Sequence, residues 1–513
     1  MLAMAGTMLA MFLSMLYMTV MSTAMPRIVT DLGGFSQYTW VFTSYFIAEV
    51  VVVLIAGKLS DMYGRKWFYV ACLGIFIAGS FLSGISQSMM QLIIFRGVQG
   101  IGGGGIMALS FIVIADLFPP SERGKWHGAM SIVMALATVV GPTLGGYLTD
   151  YLSWRWCFFI NIPAGAAVGI LFTFFYPHLQ PAGRKGKIDY SGVVMTVLAI
   201  VPLMLALTWG GADYSWSSPF ILGLLGFSLV MFVVFFLVES RAEEPVLPLH
   251  LFRSRVVLVS AIAVLFMGFT FAPVITFVPL YFQGVMGTTA TMSGNFLIPM
   301  MLGASISSFL CGQILSRTGG NYRLLGSIGF VMMAVGIYLL SRMTPETGYA
   351  VVMINIVLTG IGAGLLFPLH TLAVQNTVSY AVMGTATSIL TWLRTIGMLL
   401  GLSLVGAILN NRYYATFMST LSSEVKEVVS MEKLASIVNN PQALINPEAQ
   451  SQMQSLFEGM GAHGTVLFNQ LLATLQNALS NALTYIFAVV AVFSCVGLIV
   501  NLFLKGIPRH RRN

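Results

Sequence analysis

Three charged side chains fall inside long apolar runs: Glu49 in WVFTSYFIAEVVVVLIAG, Arg96 in LIIFRGVQGIGGGG and Arg394 in GTATSILTWLRTIG. Asp61, Asp116, Asp150, Asp189 and Glu239 stand at the ends of such runs, and the other acids fall between them. Hydrocarbon, or a partly wet cavity within it, disfavours the charged form of a carboxylate. Such an acid takes up a proton and releases it when hydration or a cationic neighbour changes, which is the chemistry of proton carriage. Glu49 is placed for that role, and its charge also suits a lipophilic cation; the alternative is a structural pair with a buried hydroxyl or arginine. Tyr17, at a similar depth in the first run, is placed to hydrogen-bond Glu49 or to touch a substrate. Arg394 either orients a helix pair or meets an anionic substrate group. His370, at the inner end of its run, reads as a polar cap.

The elements that carry these residues follow from composition. Of 513 residues 57% are apolar and 8% charged, with a mean hydropathy of +0.87. Soluble chains carry about 25% charged residues, so a soluble enzyme, a disordered regulator and a disulfide scaffold are excluded. Crossing a bilayer takes about 20 apolar residues. Fourteen segments qualify: 5–25, 39–58, 68–86, 92–115, 127–149, 157–176, 189–208, 218–238, 256–281, 291–315, 324–341, 349–369, 382–409 and 482–504. With both termini cytoplasmic, seventeen Lys and Arg fall in inner loops and the tail, six in outer loops and two inside spans. That bias supports the orientation, and it accounts for the net charge of +8 without nucleic acid. The expectation is an all-α polytopic membrane protein laid out 6 + 2 + 6. Its units are an N-terminal six-helix bundle (1–180), two linking helices (181–245) and a C-terminal six-helix bundle (246–513). The loop GKLSDMYGRK after the second span matches GQILSRTGGNYR after the tenth, as a duplicated unit predicts. The long outer segment 410–481 ends in NQLLATLQNALSNAL, of helical period. It is either a surface helix continuous with the last span or a lid. The first run lacks a basic leader and reads as a spanning helix rather than a cleaved signal.

No enzyme signature is present. GxxxxGK[ST] is missing, so ATP is not the expected energy source, and the four scattered cysteines have no metal-ligand spacing. No cofactor and no metal are expected.

The glycine-rich charged turn GKLSDMYGRKW, LIIFRGVQGIGGGG, and ATVVGPTLGGYL in the fifth span occur in order. With DLFPPSERGKWHG, SWRWCFFINIPAG, IDYSG, YFQGVMGTTATMSG and GTATSILTWLRTIG, they resemble the major facilitator superfamily. More narrowly, they resemble its 14-span drug:proton antiporter family, the EmrB/QacA type. The resemblance implies the major facilitator fold. It implies a cytoplasmic conformational lock of Asp61, Arg65 and Asp116, and a link between Arg96 and proton transfer. It also implies an antiporter motif at Gly141, Pro142, Gly145 and Gly146, typical of exporters. The chain departs from the family in the first span, where LYMTVMSTAMPRI carries Tyr17 in place of the family's aspartate. Glu49 is then the acid to which proton coupling has moved, with Arg96 and Tyr17 beside it. Tyr17, Tyr45, Glu49, Gln99 and Arg394 are the expected cavity residues. The 32 Met, 36 Phe, 18 Tyr and 8 Trp suit a broad, adaptable pocket. The expected activity is alternating-access, proton-coupled efflux of lipophilic, cationic drugs or toxic compounds by a monomer in the cell membrane. The alternative is a narrower exporter of an antibiotic, a lipid-like compound or another metabolite.

Overall fold

A computed structural model describes residues 2–32, 38–176, 190–210, 214–241, 247–288, 296–318, 321–422 and 461–505, with 424, 425, 444, 451, 453–455 and 457 between. Among them there is no β-strand, and fourteen helices run from nineteen to forty-two residues. They are α1 (Leu2–Leu32), α2 (Tyr38–Tyr63), α3 (Arg65–Gly84), α4 (Met89–Leu117), α5 (Pro120–Tyr151), α6 (Trp156–Phe175) and α7 (Tyr190–Trp209). Then follow α8 (Pro219–Glu239), α9 (Arg255–Gly284), α10 (Leu297–Thr318), α11 (Tyr322–Leu340), α12 (Tyr349–Gln375), α13 (Met383–Thr420) and α14 (Gly461–Leu502). A helix occupies each of the fourteen expected segments, and eleven are long and apolar enough to cross a membrane. The three outside that set are α1, α5 and α7; α5 begins with the polar stretch PSERGKWHG.

Local chemistry sets the breaks. Ser88 and Asn321 accept hydrogen bonds from Gln91 and Leu324 at 3.3 and 3.2 Å, capping α4 and α11. Pro120 and Pro219 open α5 and α8 where a missing N–H costs nothing. Between α2 and α3 the chain reverses at Gly64, whose φ of 86° favours glycine. This turn marks one end of the bundle, called here the turn end.

Helices α1–α6 pack among themselves, and α9–α14 repeat their pattern. In the first group α2 meets α4, α3 meets α4, and α1 meets α5 and α6; in the second the same pairs are α10–α12, α11–α12, α9–α13 and α9–α14. The groups touch through α2–α13 and α5–α10, which are equivalent contacts in the two repeats. The pair α7–α8 lies against α2 and α13.

Glycines fix the register. A methyl group on Gly100 or Gly104 would strike the backbone of Tyr45 or Glu49, and one on Gly360 or Gly364 would strike that of Met300 or Ala304. Across the groups Gly124 lies on Gly312, as Gly384 lies on Gly57.

The last two helices exceed a span. At 1.5 Å per residue α13 and α14 measure about 57 and about 63 Å, against a hydrocarbon core of about 30 Å. Tyr413, Phe417, Leu421, Leu467, Leu471 and Leu475 are buried together. The Leu-rich stretch is therefore continuous with the last span and packs on α13 instead of lying alone on a surface. Most of the middle of 410–481, the segment for which a lid is the other expectation, lies outside the described residues.

Gly104→Val and Gly364→Val, each forcing two backbones apart, should cost about 1–3 kcal/mol. Gly223→Val, at a site open within 4 Å, should stay within about 0.5 kcal/mol. Thermal unfolding of the purified variants in detergent checks the contrast.

Candidate transport site

Glu49 lies midway along α2, 5% exposed, with its backbone against Gly104 of α4. Among the described residues it enters no ion pair, and it interacts electrostatically with Tyr45 and Arg96. Tyr45, one turn away, is buried; its hydroxyl abuts Gly103 and faces Ser14 of α1. Tyr17 follows Ser14 by three residues on α1, but its side chain lies outside those described.

Arg96 is held from several sides. Its guanidinium sits 4.4 Å from the Tyr45 ring centroid, donates through Nε to the Val41 carbonyl at 3.1 Å, and donates to Gln99 Oε1 at 2.9 Å. Gln99 in turn donates to Ser80 Oγ at 3.2 Å; Ser80 also accepts from Asn161 at 3.0 Å and donates to the Phe158 carbonyl at 2.9 Å. Both polar atoms of Gln99, one of the expected cavity residues, are engaged towards α4 and α3, where they fix Arg96. This chain meets the requirement that a cation inside a membrane find protein partners.

At the turn end Asp61, Arg65 and Asp116, the residues that the resemblance singles out, come together. Arg65 pairs with Asp61 at 2.8 Å and with Asp116. Asp61 accepts from the backbone and hydroxyl of Thr385 at 3.1 Å each, at the start of α13. Asp116 accepts from Tyr176 at 2.9 Å and from Tyr380 at 3.1 Å, while the Tyr380 ring lies 5.1 Å from the Arg65 guanidinium. Further bonds between the groups join Arg123 to Asn376 (3.4 Å), His127 to Gln375 (3.4 Å) and Ser131 to Ser308 (2.8 Å). The helix groups are thus hydrogen-bonded to each other at this end.

In α5, Gly141 and Gly145 are buried and Gly146 is half-buried, with the Gly145 carbonyl accepting from Thr149 at 2.7 Å; the Pro142 side chain lies outside those described. Arg394 is buried on α13 between Phe111 and Phe367. His370 does not cap a helix end: α12 runs on to Gln375, and the imidazole is buried beside Ser260 at 3.4 Å. Sequence reading missed Thr385, Tyr380, Tyr176, Phe111, His127 and Gln375, because their partners lie tens to hundreds of residues away.

A family profile described as Major Facilitator Superfamily matches residues 7–402. The chain belongs to that superfamily. It is 37% identical over 98% of its length to the multidrug transporter protein MdtP of Bacillus subtilis, covering 92% of that protein. To multidrug resistance protein 3 of the same organism it is 36% identical, with 97% and 94% of the two chains covered. Among solved structures, the human organic anion transporter MFSD10 superposes with a TM-score of 0.62 at 13% identity, covering 98% of this chain and 99% of that one. The proton:xylose symporter XylE gives 0.56 at 13% identity, covering 98% and 94%. These two likenesses show the superfamily fold. As a member of the major facilitator superfamily the chain is a multi-pass membrane transporter and not an enzyme.

Charge-assisted hydrogen bonds contribute about 1.5–3 kcal/mol each, and about 1.4 kcal/mol is a factor of ten in an equilibrium. Asp61→Asn should therefore shift the turn-end equilibrium towards opening by about tenfold. A cysteine at Ser388, packed under Gly57, should then react correspondingly faster with a hydrophilic maleimide.

Proposed function

We propose that this member of the superfamily is a proton-coupled efflux carrier for lipophilic drugs, cations among them, working by alternating access between its two helix groups. The observation that carries the reading is Glu49: a buried acid at the α2–α4 contact, outside any ion pair among the described residues, beside Tyr45 and the fixed Arg96. An acid so placed exchanges a proton when the cavity around it is rehydrated. Proton and lipophilic cation compete for the one carboxylate, so drug binding from the cytoplasm releases the proton inward, and a proton bound from outside displaces the drug outward. The names of the two Bacillus subtilis relatives support drug efflux as the activity.

The same reading assigns fourteen spans with both termini cytoplasmic, in three units: 1–180, 181–245 and 246–513. Asp61, Arg65 and Asp116 then form the cytoplasmic lock, and the closed turn end corresponds to an outward-facing carrier. Gly141, Pro142, Gly145 and Gly146 act as the antiporter motif, and the working unit is a monomer in the cell membrane.

The test is uphill transport of ethidium in proteoliposomes driven by a proton gradient. Glu49→Gln should lose at least about tenfold in rate, by analogy with the loss of a proton-transfer group. Tyr17→Asp, added to Glu49→Gln, should recover part of the coupling. Full-rate uphill transport by Glu49→Gln would overturn the assignment.

A further inference from the structure

Arg394 is the intramembrane charge that the proposed cycle leaves unused. It is 5% exposed. Its guanidinium lies 5.2 Å from the ring centroid of Phe367 on α12 and 5.7 Å from that of Phe111 on α4, so each helix group contributes one ring. Unlike Arg96 and Arg65, it enters no ion pair or hydrogen bond among the described residues, and its Nε is buried without a partner. The titratable groups that feel its charge are His127 on α5, stacked on Phe111 at 5.8 Å, and His370 on α12. Neither is an anion.

The internal repeat argues against a purely structural role. Gly124 and Gly128 of α5 occupy the places of Gly384 and Ser388 in α13, each pair facing equivalent points on α10 and α2. In that register Arg394 corresponds to Met134, a partly buried apolar residue. The helix therefore packs in the first group without a cation at this position.

We propose that Arg394 recognises the anionic group of amphiphilic acids, a carboxylate or phosphate on an apolar body, at the seam between the helix groups. A guanidinium offers its N–H donors in its own plane as a fork that fits such a group. Phe111 and Phe367, one from each helix group, hold that guanidinium at the seam, and an apolar body on the ligand suits so apolar a setting. Contact with both groups at once makes the ligand sensitive to their separation. The inference rests on the small-molecule exporter reading and extends its substrates beyond cations.

The test measures binding of dansylglycine, a fluorescent aromatic carboxylate, and of its methyl ester to the full-length protein in neutral detergent. Arg394→Met copies the equivalent residue of the first group, and its elution and thermal unfolding verify folding. Dansylglycine affinity should fall about tenfold or more in Arg394→Met, the size expected for a charged hydrogen-bonding partner, and less in Arg394→Lys. The ester should bind both proteins alike. Equal dansylglycine affinity in wild type and Arg394→Met, or equal losses for acid and ester, would overturn the proposal. In a second arm phosphatidylglycerol is added to the micelles. Competition that depends on Arg394 supports the site with a lipid headgroup as a source of the anion; competition that persists in Arg394→Met counts against it. Dansylglycine binding without ethidium transport would sink the cation-efflux reading alone; ethidium transport without dansylglycine binding would sink this one alone.

Discussion

Helices in a bilayer gain little from burying leucine on leucine, because lipid tails are equally apolar, so close backbone approach decides which helices pair and at what register. Here that approach is supplied by Gly100 and Gly104 against the backbones of Tyr45 and Glu49. The contact does more than join α2 to α4. It sets the depth at which the Glu49 carboxylate stands, one turn from the tyrosine ring that lies under Arg96. Arg96 in turn depends on Gln99, Ser80 and Asn161, so three neighbouring helices, α3, α4 and α6, are tied to the requirement of hosting one cation out of water.

The second group repeats the glycines but not the chemistry. Gly364 on Ala304 is the counterpart of Gly104 on Glu49, so Glu49 corresponds to alanine. Counting eight residues back from each glycine, Arg96 corresponds to Ile356, and Arg394 corresponds to Met134. Each intramembrane charge thus breaks the duplication, an acid and a base in one group and a lone base in the other. Packing is served by what the repeats share, and these three residues are what packing does not require.

Much of this could be read in the sequence, for physical reasons that also explain what could not. Hydropathy places fourteen helices because every backbone group in a bilayer must be satisfied within its own helix. The turn GKLSDMYGRK placed Asp61 and Arg65 four residues apart, one helical turn, and their pairing follows. Thr385 meets Asp61 across 324 residues and Tyr380 meets Asp116 across 264, distances over which a single sequence carries no periodic signal. Hydropathy also cannot tell burial in lipid from burial in protein. It therefore ended the thirteenth span at 409 and began the last at 482, where the helices run to Thr420 and start at Gly461. The bonds of Gln99 to Arg96 and Ser80 were not legible for a related reason: a polar residue in a span faces a cavity or a charged neighbour, and spacing alone does not choose.

The overlong α13 has a mechanical consequence. Arg394 sits about 39 Å from Thr420 along the same helix, taking 1.5 Å per residue. For a rigid helix, each degree of tilt about the seam displaces the far tip by about 0.7 Å by that geometry. The extension does not stand alone: α14 is packed along it through Leu467, Leu471 and Leu475. The protruding tip is thus a pointer: it converts a sub-ångström rearrangement around a buried guanidinium into an excursion large enough for a spin label or a bound antibody fragment to register from outside the bilayer.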